Sequence, residues 1–151
     1  MATPFSFVRE YTPTGVNTTQ FQIIAAANRD IELLAIELIP QGSTSATAPI
    51  KFVLKKATDG GAGVANTDGI IKGPRVVVAI ATTFLIWSAA EAEPAYGPEP
   101  ASLRHTFGCH QQSPRLWVPP EQVIIPGGER WSVVYKAGPL VLVGYQAYFR
   151  E

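Results

Sequence analysis

Charge is what this sequence has least of. Only 16% of its 151 residues are Asp, Glu, Lys or Arg, against roughly 25% in an average soluble domain. A surface so poor in charge is usually covered in part by a partner chain, a copy of itself or a larger assembly. Twelve basic and twelve acidic residues cancel, so no basic stripe exists to neutralise phosphates, and nucleic-acid binding is not expected. Lys51, Lys55 and Lys56 come nearest to one, and lysines on a strand also guard a sheet edge against stray pairing. Cysteine is down to one, Cys109. No disulfide can form within the chain, and nothing points to an oxidising compartment. The longest apolar run, Val76 to Trp87, falls short of the roughly 20 residues of a membrane helix, and Thr82 and Thr83 interrupt it. The opening Met1-Ala2-Thr3-Pro4-Phe5 has neither a basic n-region nor an apolar h-region, so no secretion signal is expected. Without one, Asn17-Thr18-Thr19 is a chance match to a glycosylation acceptor.

What is abundant is apolar and broken into pieces. Hydrophobic residues make up 46%, with thirteen glycines and thirteen prolines between them, which is how an all-β chain reads. The length predicts one domain, 1–151, large enough to bury a core. Phe5 and Phe7 alternate in a first strand, or in an N-terminal arm over 1–11. Pro13 and Gly15 make a turn, and Gln20-Phe21-Gln22-Ile23 alternates as a half-buried strand should. In Ile50 to Lys56, Ile50, Phe52 and Leu54 face one way and Lys51 and Lys55 the other. Asp59 to Gly73 reads as a glycine-rich loop, Arg75 to Trp87 as a strand buried on both faces, and Ala89 to Pro100 as a second long loop. Strands follow over Ala101 to Phe107 and Arg115 to Val118. The last third, Gln122 to Ile125, Arg130 to Lys136 and Leu140 to Phe149, separated by tight turns, predicts a β-meander.

Asp30 to Leu38 reads two ways. Ile31, Leu34, Ala35 and Leu38 form a helical stripe behind Asp30 as N-cap, yet nine residues ended by Pro40 is short for a helix, and a strand is the favoured reading. Nine or ten strands without recurrent helices predict an antiparallel β-sandwich, wired as a jelly roll with the long loops as crossovers. An immunoglobulin-like sandwich is the alternative, although the paired cysteines of its best-known form are missing.

The one cluster that could carry chemistry is His105-Thr106-Phe107-Gly108-Cys109-His110. Zinc needs three or four ligands, and the chain holds no other Cys or His, so no metal site is expected. His105, in alternation with Leu103 and Phe107, reads as a packed histidine. Cys109 and His110 are adjacent and point to opposite faces; a nucleophile would have to pair His105 with Cys109, and a small buried hydrophobe is the simpler reading of the thiol. Glu32 and Glu37 are of opposite parity, and Glu91, Glu93 and Glu99 sit in a loop, so no carboxylate pair of a glycosidase is expected. Asp59 to Gly63 lacks the lysine and hydroxyl of a phosphate-binding loop. No catalytic residue and no cofactor is predicted. Trp117 and Trp131 could stack on a sugar, with Trp131 better read as core and Trp117 as an interface residue.

In layout the chain resembles the small jelly-roll decoration (cement or auxiliary) proteins of tailed-bacteriophage capsids. The resemblance runs over most of the chain. It rests on Phe5-Ser6-Phe7, Pro13-Thr14-Gly15-Val16-Asn17-Thr18, Ile50-Lys51-Phe52-Val53-Leu54-Lys55-Lys56 and Leu116-Trp117-Val118-Pro119-Pro120. Val123-Ile124-Ile125-Pro126-Gly127-Gly128 and the closing Tyr148-Phe149-Arg150-Glu151 complete it. Ala89 to Pro100 and Cys109-His110 have no place in the pattern. The resemblance implies a protein made in a bacterial host's cytoplasm that binds the outside of a shell of major capsid protein, often as a trimer. Phe5, Phe7, Tyr11 and Trp117 are the candidate interface residues. A carbohydrate-binding or fibre- or tail-associated module is the alternative function.

Overall fold

A computed structural model describes residues 3–41, 48–73, 76, 78–88, 91–110 and 113–151. Among them every regular element is a strand, twelve in all: β1 (Pro4–Tyr11), β2 (Thr18–Ile24), β3 (Ile31–Gln41), β4 (Ile50–Ala57), β5 (Val64–Ala65), β6 (Ile70–Lys72), β7 (Thr83–Ile86), β8 (Leu103–Cys109), β9 (Arg115–Trp117), β10 (Val123–Ile125), β11 (Arg130–Ala137) and β12 (Leu142–Arg150). No helix is long and apolar enough to cross a membrane. The strands form two antiparallel sheets. One runs β10-β3-β12-β1-β6, with β9 also on β3; the other runs β5-β7-β2-β11-β4-β8.

The pairing is nested. β1 pairs with β12, β2 with β11, β3 with β9 and β10, and β4 with β8. One long antiparallel ribbon rolled over itself gives this order, so the sandwich is a jelly roll, as expected, although the second long loop, expected as a crossover, joins β7 to β8 within one sheet. The meander expected over the last third is not present. β10, β11 and β12 each pair outside the group, and the turns at Pro126 to Gly128 and Ala137 to Leu140 carry the chain from one sheet to the other. A corner between sheets and a hairpin turn use the same residues, which is why the turn chemistry did not separate them.

Between the sheets lies an aromatic core. Phe7 stacks on Phe84 at 4.2 Å, Phe5 on Phe149 at 5.3 Å, and Tyr145 meets the edge of Phe52 at 5.6 Å. Such pairs add about 0.5–1.5 kcal/mol each beyond the area they bury. The Tyr145 hydroxyl donates to Gln20 Oε1 at 2.9 Å, which satisfies two polar groups that would otherwise be orphaned in the interior. Arg9 closes one end, donating to the carbonyls of Gln20 and Trp87 and lying 4.1 Å over the ring of Tyr11.

Ile31 to Leu38 belong to the strand β3, with Asp30 just before it. Ile31 and Leu33 point inward, then Ile36 and Leu38, and the change of parity coincides with a bulge opposite Tyr148 and Phe149. A bulge inserts one residue, so the spacing from Leu33 to Ile36 imitates a helical step. The strand also runs past Pro40 to Gln41, because β9 pairs only as far as Leu38 and Pro40 needs no donor on that side. The same bulge turns Glu32 and Glu37, of opposite parity in sequence, to one outer face, where they meet Arg150 and Tyr148.

Three further expectations change. Arg75 to Trp87 is not one buried strand: only Thr83 to Ile86 pairs, Val78 is exposed, and Arg75 and Val77 lie outside the described residues. The backbone N–H groups of Ala81 and Thr82 bond the Glu151 carboxylate at 2.8 and 3.1 Å, in place of a neighbouring strand. Asp59 to Gly73 contains β5 and β6, which extend both sheets past β7 and β1. Nor do the lysines guard an edge, since β4 lies inside its sheet between β11 and β8.

Candidate functional site

The segment from Glu91 to Ser102 crosses the outside of the second sheet, from β7, next to the β5 edge, to β8 at the other edge. Its acids and its tyrosine fasten it, although Glu93 and Glu99 are themselves exposed. Glu93 accepts from the Thr19 amide at 2.9 Å, and Tyr96 shares a 2.6 Å hydrogen bond with Thr19 Oγ1. Glu99 pairs with Lys55 at 3.0 Å, and Asp59 takes the amide of Ala95 at 2.9 Å. Beneath this strap, the outward-facing Thr19, Gln22, Ser132 and Val53 are buried, with Gln22 Nε2 donating to Ser132 Oγ at 3.1 Å. This sheet is roofed by its own chain.

The strap gives a pH dependence. Burial pushes the Tyr96 phenol up to about 12, against the pull of its hydrogen bonds to Ser132 and Thr19. An unfolded tyrosine ionises near pH 10, so above that value the unfolded chain loses a proton that the folded chain keeps. The contribution is whole below about pH 10 and is lost as pH rises to about 12. We expect urea midpoints of the native protein to fall between about pH 9 and about pH 11 more steeply than those of Tyr96→Phe; parallel slopes would contradict the assignment.

The first sheet carries no such roof among the described residues. Along its β9–β10 edge Leu116, Val118 and Ile124 are 55%, 60% and 37% exposed. Val118 to Gln122 bulges out between the two short strands, since Trp117 pairs with Ile36 and Val123 with Leu33. Pro119 and Pro120 in the bulge have no amide to offer a further strand.

Three of the four interface residues expected from sequence lie in the chain's own core. Phe5, Phe7 and Trp117 are buried, and Tyr11 is half-buried under Arg9. Residues from Pro4 onward form β1, held between β12 and β6, so they are a strand and not a free arm; Met1 and Ala2 lie outside the described residues. Trp117 stacks on Phe107 at 4.5 Å. Trp131 is buried too, donating to Glu129 at 2.8 Å with Arg104 over its ring. Neither indole offers a face to a sugar. The exposed apolar residues are the neighbours of Trp117, and the alternation around it left open which side would face out.

Where β8 and β9 part, a cleft of about 520 Å³ opens. Ile50, Phe107, Cys109 and Trp117 form its apolar side, and exposed Lys51, His110 and Arg115 stand at its mouth. Cys109 and His110 diverge as expected, one buried and one exposed. Phe107 occupies the same face between His105 and Cys109, and His105 lies against Trp117 at 5.7 Å. Burial raises the Cys109 thiol to about 11, with Arg115 pulling the other way. It stands protonated at neutral pH, the reverse of an activated nucleophile. Among the described residues no three of His, Cys, Asp and Glu gather as metal ligands. Compared with protein-family models, with curated proteins and with solved structures, the chain matches none of them.

Proposed function

We propose that the chain is a structural assembly protein, a decoration subunit that binds the outside of a shell of major capsid protein and stabilises it, as a homo-oligomer with a trimer expected. The observation that carries this reading is the asymmetry of the sandwich. One outer face is covered by the chain's own strap, while the other ends in an edge where Leu116, Val118 and Ile124 are exposed. Apolar side chains grouped along an exposed edge favour a partner surface. Many modest contacts of this kind, repeated over a symmetric shell, add up by avidity. The protonated Cys109 and the buried indoles speak against a thiol enzyme and a sugar-stacking module.

Mass photometry of the isolated chain and co-sedimentation with preformed capsid shells test the reading. The native chain should pellet with shells, and Leu116→Asp with Val118→Asp should weaken that binding by about tenfold or more while leaving the melting temperature unchanged. A strict monomer that ignores every shell would sink the proposal.

A further inference from the structure

The two sheets have four edges, and three of them are blunted against pairing. β5 is two residues long and β6 three, while β9 and β10, three residues each, are parted by the bulge that holds Pro119 and Pro120. Short strands, bulges and prolines are how sheet edges are guarded. β8 ends the second sheet over seven residues without a proline, and its one irregularity lies before His105. The Ile50 carbonyl is directed at β8 beside Gly108, so the bonded pairs of this ladder are Ile50 with Cys109, Phe52 with Phe107 and Leu54 with His105. Residues between bonded pairs turn their backbone groups to the other side. Thr106 and Gly108 therefore present their amides and carbonyls away from β4. Arg115 agrees with this phase, since it reaches from β9 and its Nη1 donates to the Gly108 carbonyl at 3.1 Å. Among the described residues no other backbone group meets Thr106 or Gly108 on that side. The cleft between β8 and β9 runs along this edge. Phe107 and Cys109 are turned into the core, so what β8 offers to the cleft is its backbone.

An open strand edge takes an extended chain as a further strand, with affinity from main-chain hydrogen bonds and specificity from the side chains above and below. Here those side chains carry one sign of charge. Lys51, exposed on the outer face of the sheet, lies opposite Gly108, which has no side chain to screen it. Arg115 comes from the other side, since it pairs with Leu38 and shares the inward parity of Trp117. His110 is exposed just past the strand, and no acidic residue lines the cleft. A strand passing Gly108 thus has one cation above it and another below. Successive residues of a strand point to opposite faces, so two adjacent acids meet one cation each. We propose that the free edge of β8 binds an extended acidic segment of a partner chain by strand addition, bonded to Thr106 and Gly108, with neighbouring carboxylates toward Lys51 and Arg115. The Gly108 carbonyl keeps a second lone pair for this strand. The proposal goes beyond the capsid reading and does not rest on it, because it uses the backbone of β8 and not the exposed Leu116, Val118 and Ile124.

A nitrogen-15 NMR titration of the full chain with the capped hexapeptide Thr-Val-Glu-Asp-Val-Thr tests it. The Thr106 and Gly108 amides should shift first and exchange with solvent more slowly, and the Gln-Asn version of the peptide should bind about tenfold more weakly. Lys51→Gln and Arg115→Gln should each weaken the acidic peptide several-fold. Thr106→Pro removes a donor that β4 does not use, so it should keep the fold and abolish binding, whereas Thr106→Val should bind as the native chain does. Should the proline variant fail to fold, the peptide itself decides: N-methylated at its Glu and Asp amides, one of which faces β8 in either register, it should no longer bind. No shift at Thr106 and Gly108, equal affinity for the Gln-Asn peptide, or undiminished binding of the N-methylated one would overturn the assignment. A chain that ignores capsid shells yet binds the acidic peptide would keep this proposal and lose the other.

Discussion

Truncating Trp117 to alanine should cost about 3–5 kcal/mol of folding stability, a large share of the about 5–15 kcal/mol that holds a domain together. The reason is position. β9 is three residues long and is held to β3 by the register of Ile36, Glu37 and Leu38 against Trp117, Leu116 and Arg115. The indole carries that strand's contact across the sandwich, stacking on Phe107 of the other sheet at 4.5 Å and touching His105. Removing it strips away the contact between β9 and β8 and enlarges the cleft where these two strands part. Guanidinium unfolding would show the loss as a lower midpoint. A double-mutant cycle with Phe107→Ala should return a coupling of about 0.5–1.5 kcal/mol. Leu116→Ala, one residue away but exposed, should stay within about 0.5 kcal/mol of the native protein. If Trp117→Ala instead kept full stability, the burial of this side chain would be wrong.

Gly108→Ala should be nearly as damaging, by about 2–4 kcal/mol. A Cβ at this position would lie 2.2 Å from the carbonyl oxygen of Ile50, far inside contact distance, and the obstacle is backbone, which has no rotamer to retreat into. β4 and β8 would have to separate where Ile50 faces Cys109 and Lys51 faces Gly108, and the Arg115 bond to the Gly108 carbonyl would move with them. Gly15 supplies the control. Nothing lies within 4 Å of a Cβ built there, and its φ is not in the left-handed region, so Gly15→Ala should be neutral or stabilise by about 0.4–1 kcal/mol through the unfolded chain. Thermal melts of the two variants side by side read the contrast directly; a Gly108→Ala protein as stable as Gly15→Ala would show that the strands can part without cost.

Strand identity was legible wherever a side chain's neighbours alternated cleanly. Ile50, Phe52 and Leu54 point inward as their spacing implied, and so do Trp131, Val133 and Tyr135. The doubt over Asp30 to Leu38 had a physical source, since a bulge breaks period two in the way a helix would. Sheet membership was less legible. Nothing in Pro126-Gly127-Gly128 tells whether the next strand returns beside the last or crosses to the opposite sheet; the partner, far away in sequence, decides. Composition misled over Arg75 to Trp87, where of the described residues only Thr83 to Ile86 have a register to pair.

The site was legible in part. The divergence of Cys109 and His110 follows from alternation, and Lys51 could be placed on the opposite face from Ile50. Their meeting with Arg115 in one cleft could not be read, because it depends on how two sheet edges separate. Aromatics in alternation say only that a side is apolar. Whether that side belongs to the chain's own core or to a partner is settled by what packs above it, and for Phe5 and Phe7 that is Phe84 and Phe21 of the facing sheet.

The nested pairing also sets a schedule for synthesis. Ser6 and Gln146, in contact across β1 and β12, are 140 residues apart. At roughly 5–20 residues per second on the ribosome, β1 leaves the exit tunnel on the order of 10 s before its central partner exists. β2 waits almost as long for β11. Until then the partners already made are the short β6 for β1 and β7 for β2, so Phe5, Phe7, Phe21 and Ile23 can enter only partial sheets until the last strands arrive. Once complete, the ribbon has many contacts of long sequence range to close, which places folding toward the slow end of the millisecond-to-second range of β-sandwiches.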